Sequence, residues 1–113
     1  MNNYFLKIIL LENCPYSIAL DKLIKNNNIP NNSIWVNQTQ KNNYKTDQID
    51  TFPQIYLNKM NNKDNLLFGG YDDFSDFFSQ FKSQKLSDDK INFYMKKLQW
   101  SKKAVLRLIQ LIN

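Results

Sequence analysis

The sequence predicts an α/β domain: a small mixed sheet with flanking helices and a C-terminal helical extension. Three observations carry that prediction. An apolar run, Tyr4–Leu11, leads through Glu12-Asn13 to Cys14 and a proline that can open a helix. Two shorter apolar runs, Gln54–Leu57 and Leu66–Phe68, are separated by turn formers, the pattern of a hairpin. After them Phe74, Phe77, Phe78 and Phe81 recur at helical spacing and define one amphipathic face.

Taken in order, Tyr4–Leu11 reads as a buried strand, rich in aliphatic residues with no turn former before Glu12-Asn13. Pro15 suits a first helical position, where its missing N–H costs nothing. Ala19, Leu20, Leu23 and Ile24 continue at helical spacing, so a helix is expected over Pro15–Asn27, ending in the Asn cluster before Pro30. Ser33–Asn37 is a second strand. Thr39–Gln48 is polar and reads as a poorly packed helix or a loop. Gln54–Leu57 and Leu66–Phe68 form the hairpin, joined by a long exposed loop over Asn58–Asn65. Gly69 and Gly70, the chain's two glycines, come next, and Asp72 or Asp73 is expected to cap the phenylalanine helix. Ser87-Asp88-Asp89 opens a further helix with the stripe Ile91, Tyr94, Met95, Leu98, Val105, Leu108, Ile109 and Ile112. Ser101 and Lys102 interrupt that stripe, so two helices with a bend near Trp100 are expected.

The order is thus β-α-β-α-β-β-α plus a helical tail. A β-α-β opening requires a crossover and hence a parallel strand pair, and the hairpin adds an antiparallel one. Residues 1–82 are expected to form the domain proper. Residues 83–113 are read as a basic helical extension packed on the same domain, its stripe facing the sheet or the phenylalanine helix.

With 113 residues the chain is long enough to bury one core without staples. It has one cysteine and no histidine. That excludes an internal disulfide, Ser–His or Cys–His catalysis and His-rich metal sites. The longest apolar run falls short of the roughly 18 residues of a membrane span, and no signal-peptide cleavage site follows it. A cytoplasmic protein is expected, with no membrane partner. Net charge is +5. Residues 1–82 balance 8 basic against 8 acidic side chains, and residues 83–113 carry 7 against 2, so the whole excess lies in the extension. Either this is a solvated helix face, or it attracts an acidic partner; no nucleic acid is expected.

Cys14 stands between the first strand and the first helix. A sulfur there faces unpaired N–H groups and the helix dipole, which favour negative charge, and thiolates are the nucleophilic form. A buried cysteine acting as a small hydrophobe is the competing reading.

Three motifs bear on the choice: Cys14-Pro15-Tyr16-Ser17, Thr51-Phe52-Pro53 and Gly69-Gly70-Tyr71-Asp72-Asp73. In this order, and at these places in the β-α-β-α-β-β-α pattern, they resemble the glutaredoxins of the thioredoxin superfamily over about residues 4–82. The resemblance implies a thioredoxin-like fold of glutaredoxin type. It implies a glutathione-dependent thiol–disulfide oxidoreductase acting on glutathionylated or disulfide-containing proteins, with Cys14 as nucleophile. Pro15 and Tyr16 would complete the motif, with Tyr16 flanking glutathione. Ser17, in the place of a resolving cysteine, would leave a monothiol route and could donate a hydrogen bond to the thiolate. Thr51 would precede Phe52, whose backbone would pair with the cysteinyl part of glutathione, and Pro53 would be a cis-proline. Asp72 and Asp73 would hold the γ-glutamyl end, with Gly69 and Gly70 allowing close main-chain approach.

Two positions depart from the family pattern. Leu11 stands where a lysine is usual, and Asp50 where a basic residue is common. Each removes positive charge near an anionic ligand; Lys7, Lys41 and Lys45 are the sequence's candidates to replace it. Two other readings are compatible with the family. One is a dimer holding a [2Fe–2S] cluster through Cys14 and glutathione, against which Pro15 counts because it stiffens the turn. The other is a redox-inactive adaptor binding a protein partner through the basic extension.

Overall fold

The computed structural model describes residues 3–61 and 65–113. Four strands form one mixed sheet: β1 (Tyr4–Leu11), β2 (Asn31–Val36), β3 (Gln54–Lys59) and β4 (Asn65–Gly69), in the spatial order β2-β1-β3-β4. β1 runs parallel to β2, with Leu6 opposite Asn31 and Leu11 opposite Val36. β1 runs antiparallel to β3, and β3 to β4, with an irregularity between Ile55 and Tyr56. The middle of the β3–β4 loop expected over Asn58–Asn65, residues 62–64, lies outside the described residues.

Four α-helices complete the fold: α1 (Pro15–Asn26), α2 (Tyr71–Phe81), α3 (Asp88–Leu98) and α4 (Lys102–Ile112). Period-two alternation puts Leu6, Ile8 and Leu10 on one face of β1. They join a single buried cluster with Ile55 and Leu57 of β3, Leu20 and Ile24 of α1, and Phe74, Phe77 and Phe81 of α2. Ile91 and Tyr94 of α3 and Val105, Leu108 and Ile112 of α4 belong to the same cluster. Residues 83–113 therefore contribute side chains to the same core. Tyr94, Trp100 and Leu111 are all buried, so they form no exposed interface. Asn113 ties the end of α4 to the end of α2: its side-chain amide donates to the Phe81 carbonyl at 3.1 Å, and its carbonyl oxygen accepts from Ser83 N–H at 2.8 Å.

The expected second α-helix is replaced by one short 3-10 turn, Lys41–Tyr44. Polar side chains take up the local backbone instead, which competes with helix formation. Asn37 Oδ1 accepts from the N–H groups of Thr39 and Gln40, and Thr46 Oγ1 from those of Gln48 and Ile49. One bond ties the segment to the sheet: buried Gln54 of β3 donates to the Tyr44 carbonyl at 2.9 Å. At the edge, β2 leaves Ile34 and Trp35 exposed. Among the described residues no helix is long and apolar enough to cross a membrane.

Candidate functional site

The turn from β1 into α1 is built around Cys14. Asn13 adopts a left-handed conformation (φ 63°), and the N–H of Cys14 bonds back to the Leu11 carbonyl at 3.3 Å. Cys14 is the residue capping α1, in extended conformation, with Pro15 at the first helical position. The thiol is partly buried, and its Sγ lies 3.9 Å from the Phe52 carbonyl oxygen, to which it can donate. That contact joins positions 38 residues apart.

The Phe52–Pro53 peptide bond is cis, and Pro53 is buried. Next to it, the β4–α2 junction is tight. Gly69 has φ 139°, a conformation that favours glycine, and a β-carbon there would stand 3.2 Å from Asp73 Oδ2. At Gly70 a β-carbon would lie 3.7 Å from the Pro53 carbonyl oxygen, an ordinary contact.

Tyr16, Thr51, Phe52, Gly70, Asp72 and Asp73 line one open cleft of about 440 Å³. All six were singled out from the sequence. Cys14 is not among the lining residues but borders the cleft through its contact with Phe52. Tyr71 completes the lining and was missed; its ring lies 6.3 Å from that of Tyr16, centroid to centroid. Only its place between two singled-out motif positions hinted at it.

One expectation is corrected. Neither Asp72 nor Asp73 caps α2. The helix starts earlier, at Tyr71, with Gly70 at the capping position and no side-chain cap, because the extended backbone of Gly70 carries β4 directly into the helix. The two carboxylates fall in the first turn, where the dipole favours them. Ser17 is fully buried, and its hydroxyl accepts the Leu11 N–H at 3.0 Å. Among the described residues Ser17 makes no hydrogen bond to Cys14; accepting the Leu11 N–H holds the end of β1 against α1 and does not use the hydroxyl's own O–H.

Among the described residues no lysine or arginine lines the cleft; Lys7, Lys41 and Lys45 are not in its lining. Lys97 Nζ, from α3, is 3.1 Å from Asp73 Oδ1, and Lys97 lines a separate pocket with Leu66, Leu67, Leu98 and Trp100. Sequence reading missed Lys97 because it is one of several exposed lysines on a helix outside every motif.

The arrangement offers one thiol, a main-chain edge at Thr51–Phe52, two aromatic rings and two carboxylates at a helix start. A volume of this size is in the range of small-ligand sites, about 300–1,000 Å³. Among the described residues no group of three or more His, Cys, Asp or Glu side chains is placed to hold a metal ion. No protein-family model, curated protein or solved structure matches the chain.

Proposed function

We propose that the protein is a monothiol thiol–disulfide oxidoreductase of glutaredoxin type, thioredoxin-like in fold, with glutathione as its co-substrate. The observation that carries the reading is convergence. Three segments far apart in sequence, 14–17, 51–53 and 69–73, meet at one cleft with the thiol at its border. The strand order β2-β1-β3-β4 with one parallel pair supports it.

In this reading the Cys14 thiolate attacks the glutathione sulfur of a glutathionylated protein. A Cys14–glutathione disulfide forms, the S–S bond between glutathione and the substrate protein breaks, and the protein thiolate leaves and takes a proton from water. A second glutathione thiolate then attacks the glutathione sulfur of that disulfide. Oxidised glutathione departs and Cys14 is regenerated. In the net exchange one free glutathione is consumed, the disulfide passes from the substrate protein to oxidised glutathione, the protein thiol is released, and Cys14 is unchanged. With serine at position 17, no internal disulfide competes.

The chain's own residues have distinct tasks. The backbone at Phe52 pairs with the ligand as an added strand does at an edge. Tyr16 and Tyr71 wall the cleft, and Asp72 and Asp73 offer acceptors for an ammonium group. The test is release of glutathione from a glutathionylated peptide, followed with glutathione reductase and NADPH. The wild type should turn over and Cys14→Ser should not; equal rates would overturn the reading.

The lack of a lysine or arginine among the described lining residues favours one second reading, a redox-inactive adaptor that binds a protein partner through the basic extension. Wild-type protein without turnover that still titrates a partner would select it.

A further inference from the structure

A strand at the edge of a sheet turns the N–H and C=O of every second residue away from its neighbour, and β2 is such an edge. The phase is fixed at both of its ends. Leu6 N–H donates to the Pro30 carbonyl at 3.0 Å, and Glu12 N–H to the Val36 carbonyl at 2.9 Å. The even-numbered residues of this stretch therefore bond to β1. Asn31, Ser33 and Trp35 turn their main-chain groups outward.

The devices that usually blunt an edge are missing from β2: it has no charged residue, no proline and an unbroken register with β1. The side chains of Asn31 and Ser33 bond to one another at 2.7 Å, along the strand. Ile34 is 40% exposed and Trp35 42%, one on each face. The opposite edge, β4, is by contrast irregular in its pairing with β3.

We infer that β2 is the contact between two copies of this chain, paired antiparallel about a two-fold axis at Ser33. Two features select a second copy over a foreign strand. The first is symmetry. Antiparallel pairing at Ser33 sets that residue against its own mate and Asn31 against Trp35. All three outward residues of each copy then exchange both main-chain bonds. Such self-complementarity is what an isologous interface requires. The second is charge. Each copy carries +5, yet residues 26–40 hold no charged side chain, the longest such run in the chain. Two like-charged molecules can meet there without opposing like charges across the strands. The two Trp35 rings flank the axis on one face and the two Ile34 side chains on the other, and both lose contact with water.

The pairing joins two four-stranded sheets into one of eight strands. None of the residues lining the cleft belongs to β2, so the inference stands apart from the oxidoreductase reading.

The experiment measures mass by sedimentation equilibrium of the full-length protein, under reducing conditions so that Cys14 cannot link copies. Wild type should pass from monomer to dimer as concentration rises. Added salt should not dissociate the dimer, because the contact is uncharged. Ser33→Pro is the selective variant. It removes an outward N–H and leaves the ladder to β1 whole, so it should fold and weaken dimerisation about ten-fold or more. Trp35→Lys puts a charge on the edge and should do the same. In Cys14→Ser protein, Ser33→Cys should oxidise to a linked dimer, since directly opposed residues of a bonded pair have Cα atoms about 5.5 Å apart. Asn32→Cys, displaced from the axis, should link poorly. Wild type that stays monomeric at every concentration overturns the inference. So does a dimer that Ser33→Pro and Trp35→Lys leave intact, and so does equal cross-linking at positions 32 and 33.

Discussion

The main-chain N–H of Leu11 donates to the hydroxyl of Ser17, 3.0 Å away, and Ser17 has no exposure to solvent. The last residue of β1 is thereby held against the first turn of α1, with Cys14 between them. Ser17→Ala would leave the Leu11 N–H without this partner. A loss of about 1–3 kcal/mol is expected, measured as a lower urea midpoint with an unchanged slope. A hydroxyl acting on Cys14 alone would move activity without moving stability.

The two glycines should respond differently to alanine. Gly69→Ala places a β-carbon 3.2 Å from Asp73 Oδ2 on a backbone with φ 139°. It should cost about 1–3 kcal/mol and weaken ligand binding by displacing Asp73. Gly70→Ala meets nothing closer than 3.7 Å, so it should cost only a few tenths of a kcal/mol as a helix-cap change. Thermal unfolding of both variants checks the contrast.

Leu108 of α4 is fully buried in the cluster that also holds Leu6 and Phe77. Leu108→Ala should therefore destabilise the whole protein by about 2–5 kcal/mol in one transition. A separate early transition, leaving the β1–β4 sheet folded, would contradict a shared core.

Tyr94 titrates above its ordinary value of 10.0 because burial disfavours the phenolate, with Asp76 and Asp73 adding repulsion. Tyr56 is raised by burial alone. Both groups bind their protons more tightly when folded than unfolded. The stability they confer is complete below about pH 10 and is lost as pH rises through the folded values. Alkaline titration should unfold the wild type, and Tyr94→Phe should lose less stability over the same range. Equal losses would show that Tyr94 is not the group responsible.

Much of this was legible in the sequence. The strands followed from apolar runs, the helices from stripes such as Phe74-Phe77-Phe78-Phe81 and from Pro15, and six of the seven cleft-lining residues from three short motifs. The missing second helix was only half legible: the polarity of Thr39–Gln48 was plain, but the local bonds of Asn37 and Thr46 that hold it as turns depend on geometry. The start of α2 was placed late because Asp72 and Asp73 satisfy composition rules for a cap, whereas backbone direction through Gly70 decides where a helix begins.

What the sequence determined by itself was periodicity and local chemistry: which residues share a face, where the chain turns, and that one thiol stands at a helix start. These are properties of neighbours along the chain. The tertiary structure alone decided the meetings across it: Cys14 against Phe52, Ser17 turned to Leu11, residues 83–113 inside the core, and Lys97 beside Asp73. Lys97 and Asp73 are 24 positions apart on different helices, and no sequence period relates them. Their contact follows from how α2 and α3 pack through Phe77, Phe81 and Tyr94, whose rings lie 4.9 and 5.7 Å from one another across the helix pair.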